Sequence, residues 1–461
     1  MTSQDNYDYD LFTIGAGSGG VRAARVAGAR GVRVAVAESS DLGGTCVNLG
    51  CVPKKLMMYA SAYSDAFADA AGFGWTVGPQ TFDWATLIER KNAEIARLNG
   101  IYGNLLDRTG VELIRGRATV TGPHSVEVSG KTYTARHILV ATGSRPVMPP
   151  IPGVEHAITS DEVFHLKARP KRVTIVGGGY IGVEFAGIFA GMGSQVTLIH
   201  RGKQLLRGFD EDLRSRLGAS LLARGIDLRL QTEVAAVVKQ ADGLELSLKG
   251  ADGTQAFATD LLMFATGRRP NTQGLGLEDV GVKLSPKGAV LVDDYFQTSV
   301  PSIRALGDVI DRVALTPVAL EEGMAVVKTL FEDQPTSVDH SHIATGVFSQ
   351  PPLATVGLTE AEAAKQAPAG LDVYTSEFRP MRNTLSGRSQ RSFMKMIVCR
   401  ESQRVLGVHM LGPDGPEIIQ AIAICLKMGA TKAQFDATIG LHPSTAEEFV
   451  TMRSKRPDPA S

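Results

Sequence analysis

The order of apolar and polar positions repeats itself along the chain. The run YDLFTIG predicts a strand beginning at about residue 9 that breaks into Gly15-Ala16-Gly17-Ser18-Gly19-Gly20. Helix-forming residues follow through Arg30, and a second strand, Val32–Ala37, ends at Glu38. The succession returns at Arg172–Val176, a β-branched strand, followed by Gly177-Gly178-Gly179-Tyr180-Ile181-Gly182 and, further on, the strand Gln195–Ile199. Short apolar runs bounded by glycine and alternating with helical patterns predict βαβ units around parallel sheets. Two ATG segments, Val140–Gly143 and Ala265–Gly267, each follow an apolar strand (HILV, LLMF). Ser144-Arg145-Pro146 and Arg268-Arg269-Pro270 stop those strands, so the two segments close the two units. Ile303–Asp308 (IRALGD) predicts one more buried strand, ending in Gly-Asp.

The glycine spacing adds chemistry. Gly15, Gly17 and Gly20 form G-x-G-x-x-G between a strand and a helix, a setting that lays pyrophosphate over the helix N-terminus. Glu38 stands where an acid bonds ribose hydroxyls. It lies 23 positions after Gly15; the same offset from Gly177 reaches His200, with Arg201 next and Arg207 six residues beyond. An acid there would repel a 2′-phosphate, whereas a guanidinium pairs with it. The first cradle therefore suits FAD and the second NADP(H). A solvated loop is the plainer reading of Arg201 and Arg207, but both flank a turn at the end of the relevant strand. Asp308 is placed to accept from a flavin's ribityl chain or to cap the next helix.

Composition sets the limits. At 461 residues the chain predicts three or four domains. Fifty glycines imply many tight turns and close backbone approaches. Lys+Arg and Asp+Glu both number 48, a balance that argues against duplex nucleic acid as a partner. Basic residues cluster in Arg379–Arg391, which reads as a solvated face or an acidic-ligand pocket. No run approaches the ~20 apolar residues of a membrane span. Met1–Asp10 has neither a signal peptide's apolar region nor an Arg-rich transit pattern, so a cytoplasmic location is expected.

Four cysteines are too few for a structural disulfide framework. Cys399 and Cys425 sit in apolar runs and read as small buried hydrophobes. Cys46 and Cys51 lie within Gly43-Gly44-Thr45-Cys46-Val47-Asn48-Leu49-Gly50-Cys51-Val52-Pro53-Lys54-Lys55. On a regular helix their Cα atoms would be about 8.6 Å apart, whereas a disulfide needs less than ~7 Å. A bridge thus requires a distorted turn, which Asn48, Gly50 and Pro53 permit. A strained bridge is the readily reduced kind. A zinc site would need two more ligands, and none lies nearby. Lys54 is either a surface lysine or a positive charge for a flavin or thiolate.

The G-G-T-C-V-N-L-G-C-V-P-K-K stretch resembles the active-site signature of the pyridine nucleotide–disulfide oxidoreductases, in the form typical of the glutathione reductases. The resemblance runs from Gly15 to Arg453 and takes in both cradles, the LGD segment and H-P-S-T-A-E-E near the C-terminus. It implies a homodimeric enzyme in which NADPH reduces FAD after Tyr180, the gating tyrosine, moves aside, and the flavin reduces a Cys46–Cys51 bridge. Cys51 would be the flavin-proximal sulfur and Cys46 the thiol that attacks oxidised glutathione. Lys54 would lie near the flavin, paired with Glu184. His442 of the partner subunit would be the general acid, oriented by Glu447; by itself a His-Pro before a helix reads more readily as a turn. The resemblance also assigns Gly44, Thr45, Thr142, Gly143, Gly179, Ile181, Gly182, Gly267, Arg268 and Thr316 to cofactor binding, alongside Gly15, Gly17, Ser18, Gly19, Gly20 and Gly177. No metal site is expected.

Ser18, Arg25 and Tyr102 stand where the glutathione reductases carry substrate contacts. Trypanothione reductases carry an acid and a tryptophan at the positions of Arg22 and Arg25, so arginine at both argues for an anionic disulfide. Three residues depart from the pattern: Met324 where an arginine contacts substrate in some relatives, Ser444 for threonine and Arg304 for tyrosine. Dihydrolipoamide dehydrogenase, which uses NAD, is disfavoured by His200 and Arg201. Mercuric reductase and the large thioredoxin reductases need C-terminal cysteines, and SKRPDPAS has none. The expected architecture is α/β, with two Rossmann-like dinucleotide-binding domains and a C-terminal α+β interface domain. The expected bounds are 1–145 (FAD), 146–272 (NADP), 273–341 (completing the FAD domain) and 342–461 (interface).

Overall fold

The computed structural model describes residues 7–251 and 253–457. The extreme N-terminus and the last four residues, on which the leader and tail expectations partly rest, lie outside the described residues. The first sheet is built from β1 (Tyr9–Ile14), β2 (Val34–Glu38), β3 (Glu112–Arg115), β4 (Ala118–Gly122), β5 (Ser125–Val128) and β6 (Lys131–Val140), in the order β3-β2-β1-β6-β5-β4. β1 lies parallel to β2 and to the second half of β6, with Leu11, Phe12 and Ile14 buried. Side chains buried on both faces explain why β1 and the end of β6 read as continuous apolar runs rather than alternating ones.

The strand pieces that follow the ATG segments are paired with each other. β7 (Ser144–Pro146) leads into a second parallel sheet, formed by β8 (Arg172–Val176), β9 (Gln195–His200), β10 (Asp227–Leu230) and, after a three-stranded antiparallel sheet of β11 (Glu233–Gln240), β12 (Gly243–Gly250) and β13 (Gly253–Thr259), by β14 (Leu261–Phe264). β15 (Arg268–Pro270) leads out and runs antiparallel to β7. β16 (Ile303–Ala305) then rejoins the first sheet, parallel to β6. The C-terminal part is a five-stranded antiparallel sheet of β17 (Thr345–Val347), β18 (Leu353–Gly357), β19 (Leu371–Phe378), β20 (Ser392–Cys399) and β21 (Val405–Leu411), in the order β17-β18-β21-β20-β19.

Eight helices position the site: α1 (Ser18–Gly28), α2 (Gly44–Asn48), α3 (Cys51–Ala70), α4 (Trp84–Asp107), α5 (Ser160–Val163), α6 (Tyr180–Gly191), α7 (Glu211–Ala223) and α8 (Thr316–Phe331). α1 and α8 approach closely enough that a Cβ at Gly323 would lie 3.0 Å from the Gly19 carbonyl oxygen. No helix among the described residues is long and apolar enough to cross a membrane.

Three expectations change. Cys399 and Cys425 are half-buried rather than buried. Cys399 closes β20, where the strand leaves the core, and Cys425 lies on the flank of a helix packed on that sheet. The Arg379–Arg391 segment is not simply a solvated face. Arg388 bonds Asp65 and Asp69 on α3, and Arg391 reaches the Glu377 carbonyl at 2.7 Å. The second strand begins at Val34, not Val32, because the Val32 amide is spent on the Ala27 carbonyl at the end of α1.

Candidate active site

The first glycine loop turns sharply between β1 and α1. Gly15 has φ +104°, and a Cβ at Gly20 would sit 2.0 Å from the Gly15 carbonyl oxygen, so neither position accepts a side chain. Gly17 caps α1, leaving the amides of Ser18, Gly19 and Gly20 in its first turn. At the end of β2 the Glu38 carboxylate accepts from the Ala16 amide at 2.8 Å and from the Ser40 amide at 2.8 Å. A cavity of about 580 Å³ opens here, lined by Gly15, Gly17, Glu38, Thr45, Thr142 and Gly143 among others. A glycine cradle, a helix N-terminus and an acid at the ribose position fit the adenosine diphosphate half of FAD.

Beyond that cavity, Asp308 in the turn after β16 accepts from the Ser144 hydroxyl at 2.7 Å. Arg268 donates to that hydroxyl at 2.9 Å and to the Ser144 carbonyl at 2.6 Å. Thr142 donates to the Asn271 carbonyl at 2.8 Å. Glu322, on α8, is buried; it accepts from the Gly307 amide at 2.7 Å and lies 3.1 Å from His340 Nε2. Burial pushes its carboxyl above the usual range.

The cysteines face each other across a broken helix. α2 ends at Asn48; Leu49 (φ −136°) and Gly50 (φ −154°, ψ −117°) leave helical geometry, and α3 restarts at Cys51. This is the distortion that the five-residue spacing demanded. Asn48 donates to the Gly44 carbonyl at 3.0 Å, and Asn99 on α4 donates to Asn48 Oδ1 at 2.9 Å, pinning the turn. Cys51 is exposed at the start of α3, while Cys46 is half-buried on α2. The neighbouring Cys46, with help from the Lys54 ammonium, draws the Cys51 thiol below its usual range, while Cys46 itself is pushed up. The pair thus releases its first proton well below a free thiol, with the charge on Cys51. Thr316, at the start of α8, is 4.0 Å from Cys51 Sγ.

Lys54 and Glu184 meet at 2.8 Å, both almost fully buried. Glu184 Oε1 also accepts from the Phe348 amide at 2.8 Å, and the ammonium lies 4.2 Å from the Phe348 ring centre. Burial pushes the Glu184 carboxyl up, and Lys54 acts against it. Glu184 belongs to α6, which opens with Tyr180, Ile181 and Gly182 at the second glycine loop, capped by Gly179. Gly177 there has φ +135°. Tyr180 is 44% exposed over this face. Arg201 and Arg207 are exposed and, among the described residues, have no carboxylate partner. These groups fit the 2′-phosphorylated half of NADPH.

Arg22 and Arg25 lie one turn apart on α1, half-buried and without a carboxylate partner among the described residues. Burial pushes the Tyr102 hydroxyl up; Cys46 adds to the effect while Arg22 and Arg25 oppose it, so all four groups share one electrostatic neighbourhood. Met324 is half-buried on α8. Arg304 is buried and serves the fold: it donates to the Tyr295 carbonyl at 2.7 Å. His442, with its side chain 81% exposed, is held by Glu447 at 3.1 Å, and Ser444 caps the turn that carries Glu447.

Residues 9–323 match the pyridine nucleotide-disulphide oxidoreductase family, and residues 343–453 match its dimerisation domain. The chain belongs to the pyridine nucleotide-disulphide oxidoreductases. It is 52% identical over 450 residues to the glutathione reductase of Burkholderia cepacia, covering 98% of this chain and 99% of that one. It is 53% identical to the chloroplastic/mitochondrial glutathione reductase of Pisum sativum, covering 97% and 83%. The trypanothione reductase of Trypanosoma congolense is 43% identical, covering 97% and 95%. The α/β layout of two dinucleotide-binding units and a C-terminal dimerisation domain is that of this oxidoreductase family. Asn99, Phe348, Glu322 and His340 had no signal in the sequence, since each acts through a partner distant along the chain.

Proposed function

We propose that the protein is an FAD-dependent, NADPH-driven reductase of glutathione disulfide, working as a homodimer. The observation that carries the reading is the Lys54–Glu184 pair. It joins the helix that begins at Cys51 to the helix that opens the second nucleotide cradle, and so puts the dithiol and the coenzyme on two sides of one buried contact. FAD bound in the first cradle supplies the two-electron relay between nicotinamide and the cysteine pair.

The residues supply the rest. Cys46 passes its proton to His442 of the partner subunit, held by Glu447, as it attacks one sulfur of the substrate disulfide, and the imidazolium returns that proton to the other sulfur, which leaves as a thiol. Cys51 then attacks Cys46, releasing the second thiol and closing the Cys46–Cys51 bridge, which two electrons from NADPH reopen. Lys54 stabilises the thiolate on Cys51. Asp308, Arg268, Gly267, Thr316 and the two glycine loops position the nucleotides, with Arg201 and Arg207 on the 2′-phosphate.

Trypanothione reductases share much of this sequence, so the choice of disulfide rests on charge. Two unpaired guanidinium groups and Tyr102 near Cys46 attract an anionic substrate and repel a cationic one. The function divides over an FAD portion (1–145 and 273–341), an NADP portion (146–272) and an interface portion (342–461). Steady-state assays with oxidised glutathione, trypanothione disulfide and lipoamide, each with NADPH and NADH, test the proposal. NADPH with oxidised glutathione should give the highest kcat/KM; faster turnover of trypanothione disulfide would overturn the substrate assignment.

A further inference from the structure

The basic residues that cluster before β20 line a second cavity, of about 500 Å³, where α7 of the second nucleotide unit meets the C-terminal sheet. Arg216 on α7 and Arg224 at its end face it together with Arg388 and Arg391, and the buried Phe393 of β20 lies among them. Glu377, on β19, is the one acid of the lining among the described residues. No lining residue belongs to a glycine loop or to the cysteine turn, so the cavity stands apart from the site described above.

The guanidinium groups are already fixed in place. Arg216 donates to Glu377 Oε2 from Nε at 3.1 Å and from Nη2 at 2.9 Å, and it lies 3.8 Å from the Phe393 ring centre. Arg224 donates to Asp65 Oδ2 at 2.8 Å and to Gln350 Oε1 at 2.7 Å. Arg388 donates to Asp65 Oδ1 at 3.1 Å and also bonds Asp69. Every carboxylate that serves these arginines is divided between cations. Glu377 is shared by Arg216 and Arg391, Asp65 by Arg224 and Arg388, and Asp69 by Arg388 and Arg382. Asp212, 3.6 Å from Arg216, is also bound to Lys395. Asp65, Asp69 and Asp212 do not line the cavity. They orient the arginines from outside it, so the lining stays positive and a ligand does not have to order those side chains itself.

We propose that this cavity is a second binding site, for a small organic anion that carries at least two negative charges as carboxylate or phosphate groups. Four guanidinium groups against one lining carboxylate leave more positive charge than a monoanion balances. Their planar forks match the paired oxygens of carboxylates and phosphates. A volume of about 500 Å³ is that of an ordinary small-molecule pocket and holds an organic body besides the charged groups. Such a ligand would bridge α7 and the segment before β20, and through Asp65 it would bear on α3, the helix that begins at Cys51.

The test is calorimetric titration of citrate, inorganic pyrophosphate and acetate into the FAD-loaded enzyme at about 0.15 M salt, with 2′,5′-ADP present in excess to keep the probes out of the second cradle. Citrate or pyrophosphate should bind saturably, and acetate at least about tenfold more weakly; the tighter of the first two tells carboxylate from phosphate. Arg216→Gln and Arg391→Gln should each weaken that binding by at least about fivefold, with FAD content and NADPH-dependent disulfide turnover unchanged. Arg379→Gln, exposed and outside the lining, should leave it at the wild-type value. Should Arg216→Gln lose flavin, Arg391→Gln carries the test, because its side chain is 52% exposed. Absence of saturable binding by both polyanions, acetate binding as tightly as they do, or equal binding by Arg391→Gln and wild type would reduce these arginines to a structural seam and overturn the proposal.

Discussion

Lys54 Nζ and Glu184 Oε1 stand 2.8 Å apart, 130 residues distant in the chain, and almost no water reaches either. Such a pair contributes less through its own attraction than through what happens when half of it is removed. Glu184→Leu strands a buried ammonium and should lower stability by about 3–5 kcal/mol. Lys54→Met combined with Glu184→Leu should recover most of that loss. Urea unfolding of the two variants decides it, provided flavin content is matched.

The thiol chemistry has a pH signature. Cys51 is drawn below the ordinary thiol range, so its thiolate is still present at pH values where a free thiol is protonated and is lost only on further acidification. Iodoacetamide alkylation of the NADPH-reduced enzyme should therefore show one sulfur reacting with a midpoint below that of an ordinary thiol. Removing the Lys54 charge in Lys54→Met should move that midpoint up by about one unit. An unmoved midpoint would leave the neighbouring Cys46 as the sole cause.

The dimer makes a sharper prediction. His442→Ala should lower kcat by about 10²–10⁴, as Cys46→Ser abolishes turnover by removing the attacking sulfur. Subunit exchange between these two inactive dimers creates one site with an intact Cys46 and an intact His442 from the other chain. Activity should reappear on mixing. If the histidine served its own subunit, the mixture would stay dead.

Substrate charge is tested on α1. Arg22→Glu with Arg25→Glu should raise KM for oxidised glutathione by at least about tenfold, with little change in KM for NADPH. In the wild type, KM for the disulfide should also rise with ionic strength, because the two half-exposed guanidinium groups are screened over a Debye length of about 8 Å.

Much of this site was legible in the sequence because its signals are local. Gly15 to Gly20, Gly177 to Gly182 and Cys46 to Cys51 each state their geometry within a dozen residues, and the structure turns at those points. Glu38 and His200 were legible through a fixed offset from a glycine. What stayed hidden depends on partners far along the chain. The β7–β15 ladder joins two three-residue pieces 124 positions apart, too short to show any period. Nothing near Asn99 announces that it braces Asn48. Cys399 and Cys425 were misjudged because an apolar neighbourhood in sequence does not say which side of an element meets solvent. Arg388 looked solvated because its acids, Asp65 and Asp69, lie on another helix.

The ladder of β7 against β15 has a mechanical consequence. The chain crosses from the first nucleotide unit to the second and back along neighbouring strands, and Arg268 clasps Ser144 at the crossing. Domain swings turn on loose connections that absorb large backbone rotations, and a double crossing zipped by hydrogen bonds supplies no such pivot. On the proposed reading, the coenzyme comes and goes past this rigid frame, with Tyr180 as the gate in place of a rotation of half the molecule.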